Sequence, residues 1–404
     1  MNKITMSKEE LRKFLVMYQG LYSSKPFNGE DGIKNFINRV GCIQYDPLNV
    51  VGRNADLVLQ SRIENYDPIM LESLLYDKRE LIDGWDKMMA IYSAEDWPYF
   101  KRVRSIRKVE IERVLHHRNS IEVINYVDEV KEYIKKNGAT LPSKLDIGRV
   151  ESGVWGHGKL SSATMDYMWN SGTLGVREKK NTQKVYDLVE NLFPKRLLEM
   201  KEPFNEDNDF YKWYFKRRIG STGIYWDKNG EGWLGHFVSD KSLRKKMLNE
   251  LLEGGELILV EVDGLKETFY IRSEDISMLN NLKVNIDKKA NFIAPLDNLL
   301  WDRKLVKDIF NFEYSWEVYK PVSMRQYGYY VLPVLFEDKL IARFEPEMHR
   351  GDEPLLIKNW WWEENYQVTN GAIDAVMECF ERFCKYLKAD GLAEDSYTKI
   401  VKEQ

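Results

Sequence analysis

The stretch Gly41-Cys42-Ile43-Gln44-Tyr45-Asp46-Pro47-Leu48-Asn49-Val50-Val51-Gly52-Arg53-Asn54 is the one around which the rest of the sequence is arranged. Pro47 and the β-branched residues nearby predict an extended chain, in which side chains two positions apart point the same way. Gln44 and Asp46 are therefore expected to stand side by side, with Tyr45 on the opposite face. An amide beside a carboxylate is able to hold a water molecule and to stabilise a developing cation, so this pair predicts a hydrolytic site.

The same stretch has a purely structural interpretation. Aspartate before proline is ordinary turn chemistry, and Gln44 has the alternative of bonding to nearby backbone. On spacing alone the turn is the favoured interpretation, because short motifs in a single sequence discriminate poorly. The choice depends on the rest of the chain.

The composition is that of a globular chain with a sizeable core. Of the 404 residues, 43% are hydrophobic, 13% are aromatic and 31% are charged, which argues against a disordered or a membrane protein. The length predicts about two to four compact units. Since the N-terminal residues lack the apolar core of a secretory signal, we expect a cytoplasmic protein.

Net charge and cysteine content limit the kinds of protein that this sequence is able to form. The formal net charge of −4 argues against a uniformly basic nucleic-acid coat but allows a local basic face. Cys42, Cys379 and Cys384 cannot build a disulfide framework, and the five histidines show no zinc spacing. We therefore expect neither a metal site nor a cofactor.

Three stretches show the same order of elements, short helices followed by strands, which is typical of winged-helix modules. In the first, Ser7-Lys8-Glu9-Glu10 predicts a helix cap, further helices are expected over 32–40 and 54–62, and a strand over 80–85.

The other two modules end in predicted hairpins. The second has a helix through Met165 and Trp169, then two strands whose charged turn, 178–183, is a candidate wing. The third has a helix from about Asp207, a second helix over 240–252, and a hairpin at Asp263-Gly264.

The C-terminal part changes to short strand candidates, which suggest a small barrel or sandwich. The strands are expected over 312–319, 327–336, 339–345 and 355–362, with a closing helix over 371–387. The fold class is thus α+β: three tandem winged-helix modules and a β-barrel-like domain with a closing helix. The predicted boundaries are 1–95 for the first winged helix, 96–136 for a helical linker, 137–192 and 193–274 for the second and third winged helices, and 275–404 for the last domain.

The predicted linker carries a strongly basic segment. Seven lysines and arginines face only two glutamates between Lys101 and Arg118. A solvated helix face and a phosphate-contacting surface are both consistent with this pattern.

At this point the sequence resembles the YcaQ/AlkZ-type winged-helix DNA glycosylases over nearly its whole length. The most specific residues are Gln44-Tyr45-Asp46 followed by Asn49-Val50-Val51, Arg53, Leu57 and Ser61-Arg62, then Ala294-Pro295-Leu296-Asp297-Asn298-Leu299-Leu300-Trp301-Asp302-Arg303, Tyr327-Gly328-Tyr329-Tyr330-Val331-Leu332-Pro333, and Ile341-Ala342-Arg343-Phe344-Glu345-Pro346 with Arg350. Gln44-Tyr45-Asp46 is similar to the Gln-x-Asp form of the catalytic motif found in the YcaQ-like branch.

The resemblance implies a monofunctional DNA glycosylase that releases N7-alkylated purines from duplex DNA and unhooks interstrand crosslinks. Asp46 is then expected to stabilise the sugar cation and to activate water, and Gln44 to orient that water. The partner would be damaged double-stranded DNA, associated with the nucleoid in a bacterium, and the protein is expected to be a monomer. The family usually carries Trp-x-His where this chain has Trp85-Asp86-Lys87.

Candidate DNA contacts are drawn from three places: Asn49, Arg53 and Arg62 near the motif, Trp155, His157 and Lys159 before the second module's helix, and Arg325, Arg343 and Arg350 in the C-terminal part. Each has a structural alternative, since tryptophan usually packs in a core and histidine often caps a helix. Only the position of Arg53 and Arg62 beside the motif favours DNA contact over that alternative.

Two other classes compete with the glycosylase. A winged-helix transcription regulator would bind DNA without chemistry, but the predicted helix after the motif is not basic. A nuclease would require an acidic metal cluster, and the sequence shows no such spacing.

Overall fold

The computed structural model describes residues 3–21, 27–148, 160–283 and 288–402. In chain order, the helices of this part are α1 (Lys8–Tyr18), α2 (Gly29–Val40), α3 (Asn54–Gln60), α4 (Pro68–Glu72), α5 (Lys101–His117), α6 (Val127–Asn137), α7 (Leu160–Asn170), α8 (Val189–Leu192), α9 (Lys195–Glu199), α10 (Asp207–Thr222), α11 (Lys241–Glu253), α12 (Arg303–Phe310), α13 (Asn370–Leu387) and α14 (Glu394–Lys402).

The strands of the same part are β1 (Lys3–Met6), β2 (Phe27–Asn28), β3 (Cys42–Gln44), β4 (Ile63–Glu64), β5 (Leu81–Trp85), β6 (Met89–Ser93), β7 (Leu174–Lys180), β8 (Gln183–Leu188), β9 (Ile224–Trp226), β10 (Leu257–Val262), β11 (Phe269–Arg272), β12 (Ala290–Phe292), β13 (Leu332–Phe336), β14 (Lys339–Pro346) and β15 (Ile357–Trp362). The predicted α+β class is confirmed.

The chain divides into two compact units that do not follow its linear order. The first unit combines residues 1–71, 87–91 and 208–404, and the second combines 72–86 and 92–207. The boundaries predicted above run in sequence order, and they remain predictions about individual modules.

The first helix shows how the sequence fixes a local element. The hydroxyl of Ser7 accepts the backbone N–H of Glu10, whose carboxylate accepts the backbone N–H of Ser7 in return. This capping box satisfies donors that the first turn of α1 would leave unpaired. Leu11, Phe14 and other apolar residues then bury one face of the helix.

A four-stranded sheet in the first unit has the order β1-β10-β11-β9. The hairpin of β10 and β11 was predicted, and its antiparallel register pairs Leu257 with Arg272. The parallel pairing of β1 with β10, from Lys3 with Leu259 to Met6 with Val262, was not predicted. A strand of four residues carries little pattern of its own, and β1 depends on a partner about 250 residues away in sequence.

The C-terminal sheet is open. Its order is β12-β13-β14-β15, and α13 covers one face through ring contacts of Phe380 with Phe292 at 4.5 Å and with Phe344 at 5.4 Å between centroids. The predicted barrel is therefore corrected to an open antiparallel sheet among the described residues. Four strands are too few to close a barrel, and a helix packs against the sheet instead.

The strand predicted over 312–319 is wrong. Phe312 and Tyr314 are buried while Glu313 and Ser315 are exposed, which reproduces the alternation of a strand. The backbone here is irregular, and the Tyr314 hydroxyl instead donates to the carbonyl of Val331 at 2.7 Å. Alternating burial comes from side-chain anchoring here rather than from a strand ladder.

The second unit contains the predicted linker helices and hairpin. Strands β7 and β8 pair from Leu174 with Leu188 to Lys180 with Gln183. The turn is shorter than predicted, because both strands continue to Asn181-Thr182. Asn181 has φ of 59°, in the left-handed region that asparagine tolerates better than most residues.

Candidate active site

Strand β3 places Gln44 at its last position, and the chain leaves the sheet at Asp46. The backbone N–H of Tyr45 donates to the carbonyl of Met89 in β6 at 2.8 Å, and the Tyr45 side chain is 7% exposed. Gln44 and Asp46 flank this buried residue and are both half-buried. The strand thus lies where the extended chain was predicted, and both polar side chains remain partly accessible.

Side-chain amides from two other segments hold the backbone of this strand. The Asn54 amide donates to the carbonyl of Gln44 at 2.8 Å, while its oxygen accepts the N–H of Leu296 at 3.0 Å. The Asn298 amide donates to the carbonyl of Cys42 at 3.0 Å. The stretch from Ala294 to Arg303 therefore fixes the position of the motif.

Asp46 uses one of its two carboxylate oxygens in a turn. Oδ1 accepts the backbone N–H of Leu48 at 2.9 Å, and within the described residues Oδ2 accepts no hydrogen bond. Burial raises the pKa of this carboxyl, against the opposing effect of the Leu48 N–H. The turn interpretation thus holds for one oxygen, and the second oxygen is left for water or substrate.

Tyr330 is a buried residue, 2% exposed, whose ionisation is disfavoured by the charge of Asp46. Burial, with the charges of Tyr314 and Asp46 as smaller contributions, holds the pKa of Tyr330 well above its usual range. The hydroxyl therefore stays neutral.

The side chain of Lys87 contacts Gln44. Its Nζ donates to Gln44 Oε1 at 3.2 Å and lies 5.0 Å from the centroid of the Trp301 ring. In the part of the chain that the structure describes, Gln44 Nε2 makes no hydrogen bond. Burial, followed by the charges of Arg218 and Arg303, lowers the pKa of Lys87 to about 7.

Arg62, a predicted DNA contact, lies in the interior. Its side chain is 0% exposed, and its Nη1 and Nη2 donate to the two oxygens of Asp297 at 2.9 and 2.8 Å. Its Nε donates to the carbonyl of Gln19 at 2.6 Å. A guanidinium enclosed in this way does not reach a phosphate, so the role of Arg62 is corrected to a structural one.

Two other predicted contacts are also engaged within the protein. Arg343 is 1% exposed, bonds Glu363 at 2.7 Å and stacks 4.1 Å from the centroid of the Tyr327 ring. Its predicted role is corrected in the same way. Arg53 is half-buried and pairs with Asp56 at 2.5 Å.

The remaining predicted contacts are accessible or outside the described residues. Asn49 and Arg350 are exposed, and Arg325 is half-buried over the Tyr329 ring. The Asn49 side chain accepts the N–H of Gly52 at 2.9 Å. Trp155, His157 and Lys159 lie outside the described residues.

The basic segment of the second unit is α5, and much of its charge is used internally. Arg102 pairs with Glu202 at 2.6 Å, Arg104 lies over the Trp97 ring, and Arg107 lies over the Trp85 ring. Exposed charges are left at Lys101, Lys108, Arg113 and Arg118. These three arginines are half-buried, and the remaining exposed charges are consistent with both a solvated face and a phosphate-contacting surface.

Sequence reasoning missed the supporting residues of the site. Trp301 and Tyr330 stand inside the stretches that carry the family resemblance and Asn54 directly follows Arg53, but nothing in the pattern indicated their contacts. Lys87 was noted as a departure from the family pattern, and its contact with Gln44 joins positions 43 residues apart. Such contacts depend on how the chain folds back.

The described residues show neither a metal-binding cluster nor a membrane-spanning helix. They contain no group of three or more histidine, cysteine, aspartate or glutamate side chains arranged to hold a metal ion. None of their helices is both long enough and apolar enough to cross a membrane.

Comparison with known proteins identifies the class as a DNA glycosylase. The sequence model described as DNA glycosylase AlkZ-like matches residues 37–386. Because this match spans most of the chain, the protein belongs to the AlkZ-like DNA glycosylase family, an assignment that supports a role in DNA repair.

A solved structure shares the fold. The Streptomyces sahachiroi DNA glycosylase AlkZ is similar with a TM-score of 0.62, and the match covers 96% of this chain and 99% of that chain. The two sequences are 13% identical over the match, so the likeness concerns the fold.

Proposed function

We propose that this protein hydrolyses the N-glycosidic bond of N7-alkylated purines in duplex DNA and leaves the DNA strand intact. The observation that carries the proposal is the half-buried carboxylate of Asp46, whose Oδ2 accepts no hydrogen bond within the described residues, two positions from the amide of Gln44. Membership of the AlkZ-like family supports a glycosylase acting on DNA.

The leaving group explains why so few catalytic groups suffice. A purine alkylated at N7 already carries positive charge, so it departs with the bonding electron pair without first being protonated. The sugar then develops cationic character at C1′, which the negative charge of Asp46 stabilises. The enzyme therefore needs an anion and a positioned water rather than a strong general acid.

Water completes the reaction. Its oxygen forms the new bond to C1′ while Asp46 accepts a proton from it, and the amide of Gln44 orients it. The products are the free base and an abasic site. Asp46 must be ionised, so base release should decline as the pH falls through the raised pKa of this carboxyl.

We also propose that interstrand crosslinks are substrates. A base joined to both strands cannot rotate into a closed pocket, so an enzyme that unhooks it requires an accessible site. The exposure of Pro47 and Asn49, directly after Asp46, supports this part of the proposal. Three winged-helix modules in a monomer would supply the DNA-binding surface, with Asn49, Arg325 and Arg350 as its accessible candidates.

The test is base release from three duplexes by the wild-type protein. One contains 7-methylguanine, one contains the neutral base hypoxanthine, and one contains a crosslink through N7 of guanine. We expect release from the first and third and much slower release from the second, since only hypoxanthine lacks the positive charge. Binding of the 7-methylguanine duplex without any release would instead favour a non-catalytic winged-helix regulator.

The intact strand is tested separately by borohydride treatment during the reaction. A water nucleophile leaves nothing to reduce onto the protein, so no covalent protein–DNA adduct is expected. Trapping of an adduct would show that an amine attacks C1′ and that the enzyme is bifunctional.

A further inference from the structure

The amine of Lys87 contacts the proposed catalytic amide directly. The Lys87 residue is 6% exposed, and its Nζ bonds Gln44 Oε1 at 3.2 Å. A glutamine amide without such a partner is able to rotate and to exchange the positions of its oxygen and nitrogen. Anchoring of Oε1 therefore fixes the direction of Nε2, the end of Gln44 that has no hydrogen bond among the described residues.

The surroundings of Lys87 disfavour a positive charge on it. The charged and titratable groups that interact with it are Arg218, Arg303, Glu231 and Cys42. Arg218 is held by the carbonyl of Gly232 at 2.7 Å, and Arg303 by the carbonyl of Pro295 at 2.8 Å. The two guanidinium groups are held in place near Lys87. The carboxylate that opposes their effect on Lys87 is Glu231, whose side chain is 58% exposed.

The ring of Trp301 offsets only part of this effect. A ring face attracts a cation, but at 5.0 Å from the Nζ it does not replace the hydration that burial removes. Burial and the two arginines accordingly lower the pKa of Lys87 to about 7. Near neutral pH the amine exists in both forms.

From this geometry we infer that Lys87 is a positioning residue that holds the amide of Gln44 during base release. The inference rests on the proposed glycosylase function. A neutral amine keeps two N–H donors, so the hydrogen bond to Gln44 survives deprotonation. An ammonium group would add positive charge beside a sugar that is itself becoming positive, and this raises the barrier.

The pH dependence of base release follows from this assignment. The rate should rise with pH through about 7, because the neutral form accumulates above the pKa of Lys87. One pH unit below that pKa only about one molecule in eleven carries the neutral amine, so at pH 6 the rate should be about tenfold below its plateau. A second decline, from Asp46, should appear at lower pH.

Two substitutions at position 87 separate positioning from charge. Lys87→Met keeps the length of the side chain but removes the donor, and we expect it to be about three- to tenfold slower than wild type at pH 8. At pH 6 the wild-type amine is mostly charged, so Lys87→Met should be as fast as wild type or up to about fourfold faster. Lys87→Arg is permanently charged, and we expect it to be at least tenfold slower at pH 8 with no transition near pH 7.

Lys228→Met is the matched control. Lys228 lies 4.5 Å from the centroid of the Trp226 ring and pairs with Glu267 at 2.8 Å, so its loss also removes a lysine–tryptophan contact from the first unit. Its pH profile should match that of wild type. Thermal unfolding of every variant establishes that each is folded at the temperature of the assay.

The outcomes are distinct. A Lys87→Met profile parallel to that of wild type, or a Lys87→Arg variant as fast as wild type at pH 8, would overturn the positioning role while leaving the glycosylase proposal intact. Failure of the wild-type protein to release 7-methylguanine at any pH would overturn both.

Discussion

Two polar clusters of the first unit, Arg62 with Asp297 and Gln44 with Asp46, differ in how completely they are bonded. Arg62 and Asp297 form a fully buried pair in which the two guanidinium Nη atoms and Nε donate to protein acceptors. Gln44 and Asp46 are half-buried, and each keeps one polar atom without a partner among the described residues.

The difference separates a structural role from a catalytic one. A fully buried charge whose nitrogens each donate to a protein acceptor is not accessible to a substrate, whereas an unmet donor or acceptor at an accessible position is able to hold water. Gln44, Asp46 and Arg62 were all candidate site residues from sequence, Arg62 because of its position near the motif. Their bonding, rather than their residue types, distinguishes them.

The largest expected loss of stability comes from breaking the buried pair of Arg62 and Asp297. Arg62→Met leaves the Asp297 carboxylate buried and unpaired, so we expect the free energy of unfolding to fall by about 3–5 kcal/mol. Urea unfolding measures this change. The control is Lys3→Met, which removes a half-exposed pair with Glu261 and should cost less than about 1 kcal/mol. Equal effects of the two substitutions would contradict the structural role of Arg62.

A smaller loss of stability is expected from removing the side chain of Asn54, which is itself buried and also supports the catalytic motif. Asn54 bridges the carbonyl of Gln44 and the N–H of Leu296, and its side chain is buried. Asn54→Ala should lower the free energy of unfolding by about 1–3 kcal/mol, because both backbone groups lose a partner. It should also slow base release, since the motif loses its anchor.

Two measurements on Asn54→Ala show whether the bridge that stabilises the fold also supports catalysis. Unfolding in urea and single-turnover base release are made on the same preparation. Reduced stability with an unchanged rate would show that the position of Gln44 does not depend on this bridge.

The smallest effect concerns the accessible arginines. Arg350 is exposed, and Arg350→Ala should weaken binding to undamaged duplex DNA several-fold and reduce the slope of log affinity against log salt by about 1. Fluorescence anisotropy across salt concentrations measures both quantities. An unchanged slope would remove Arg350 from the DNA-binding surface.

The sequence was sufficient for elements whose signal is local. The capping box at Ser7, the closing helix now observed at Asn370–Leu387 and the hairpin of β10 and β11 all carry their own pattern of caps, apolar spacing or turn residues. These predictions are confirmed. Each element would be recognisable in isolation from the rest of the chain.

The sequence was not sufficient for elements and side chains whose structure depends on residues far away in the chain. β1 becomes a strand only through pairing with β10, and the residues around Phe312 imitate a strand through side-chain anchoring. Among site residues, Arg62 was assigned to DNA because sequence gives no sign of Asp297, 235 residues away. Lys87 meets Gln44 only because β6 returns the chain beside β3.

The central claim is that the carboxylate of Asp46 performs the hydrolysis, and Asp46→Asn tests it most directly. The measurement is the single-turnover rate of 7-methylguanine release at pH 8, with exposed Glu64→Gln as the control. We predict that Asp46→Asn is slower by about 10²–10⁴-fold, with unchanged DNA binding and thermal unfolding, and that the control matches wild type. A fully active Asp46→Asn variant would contradict the account.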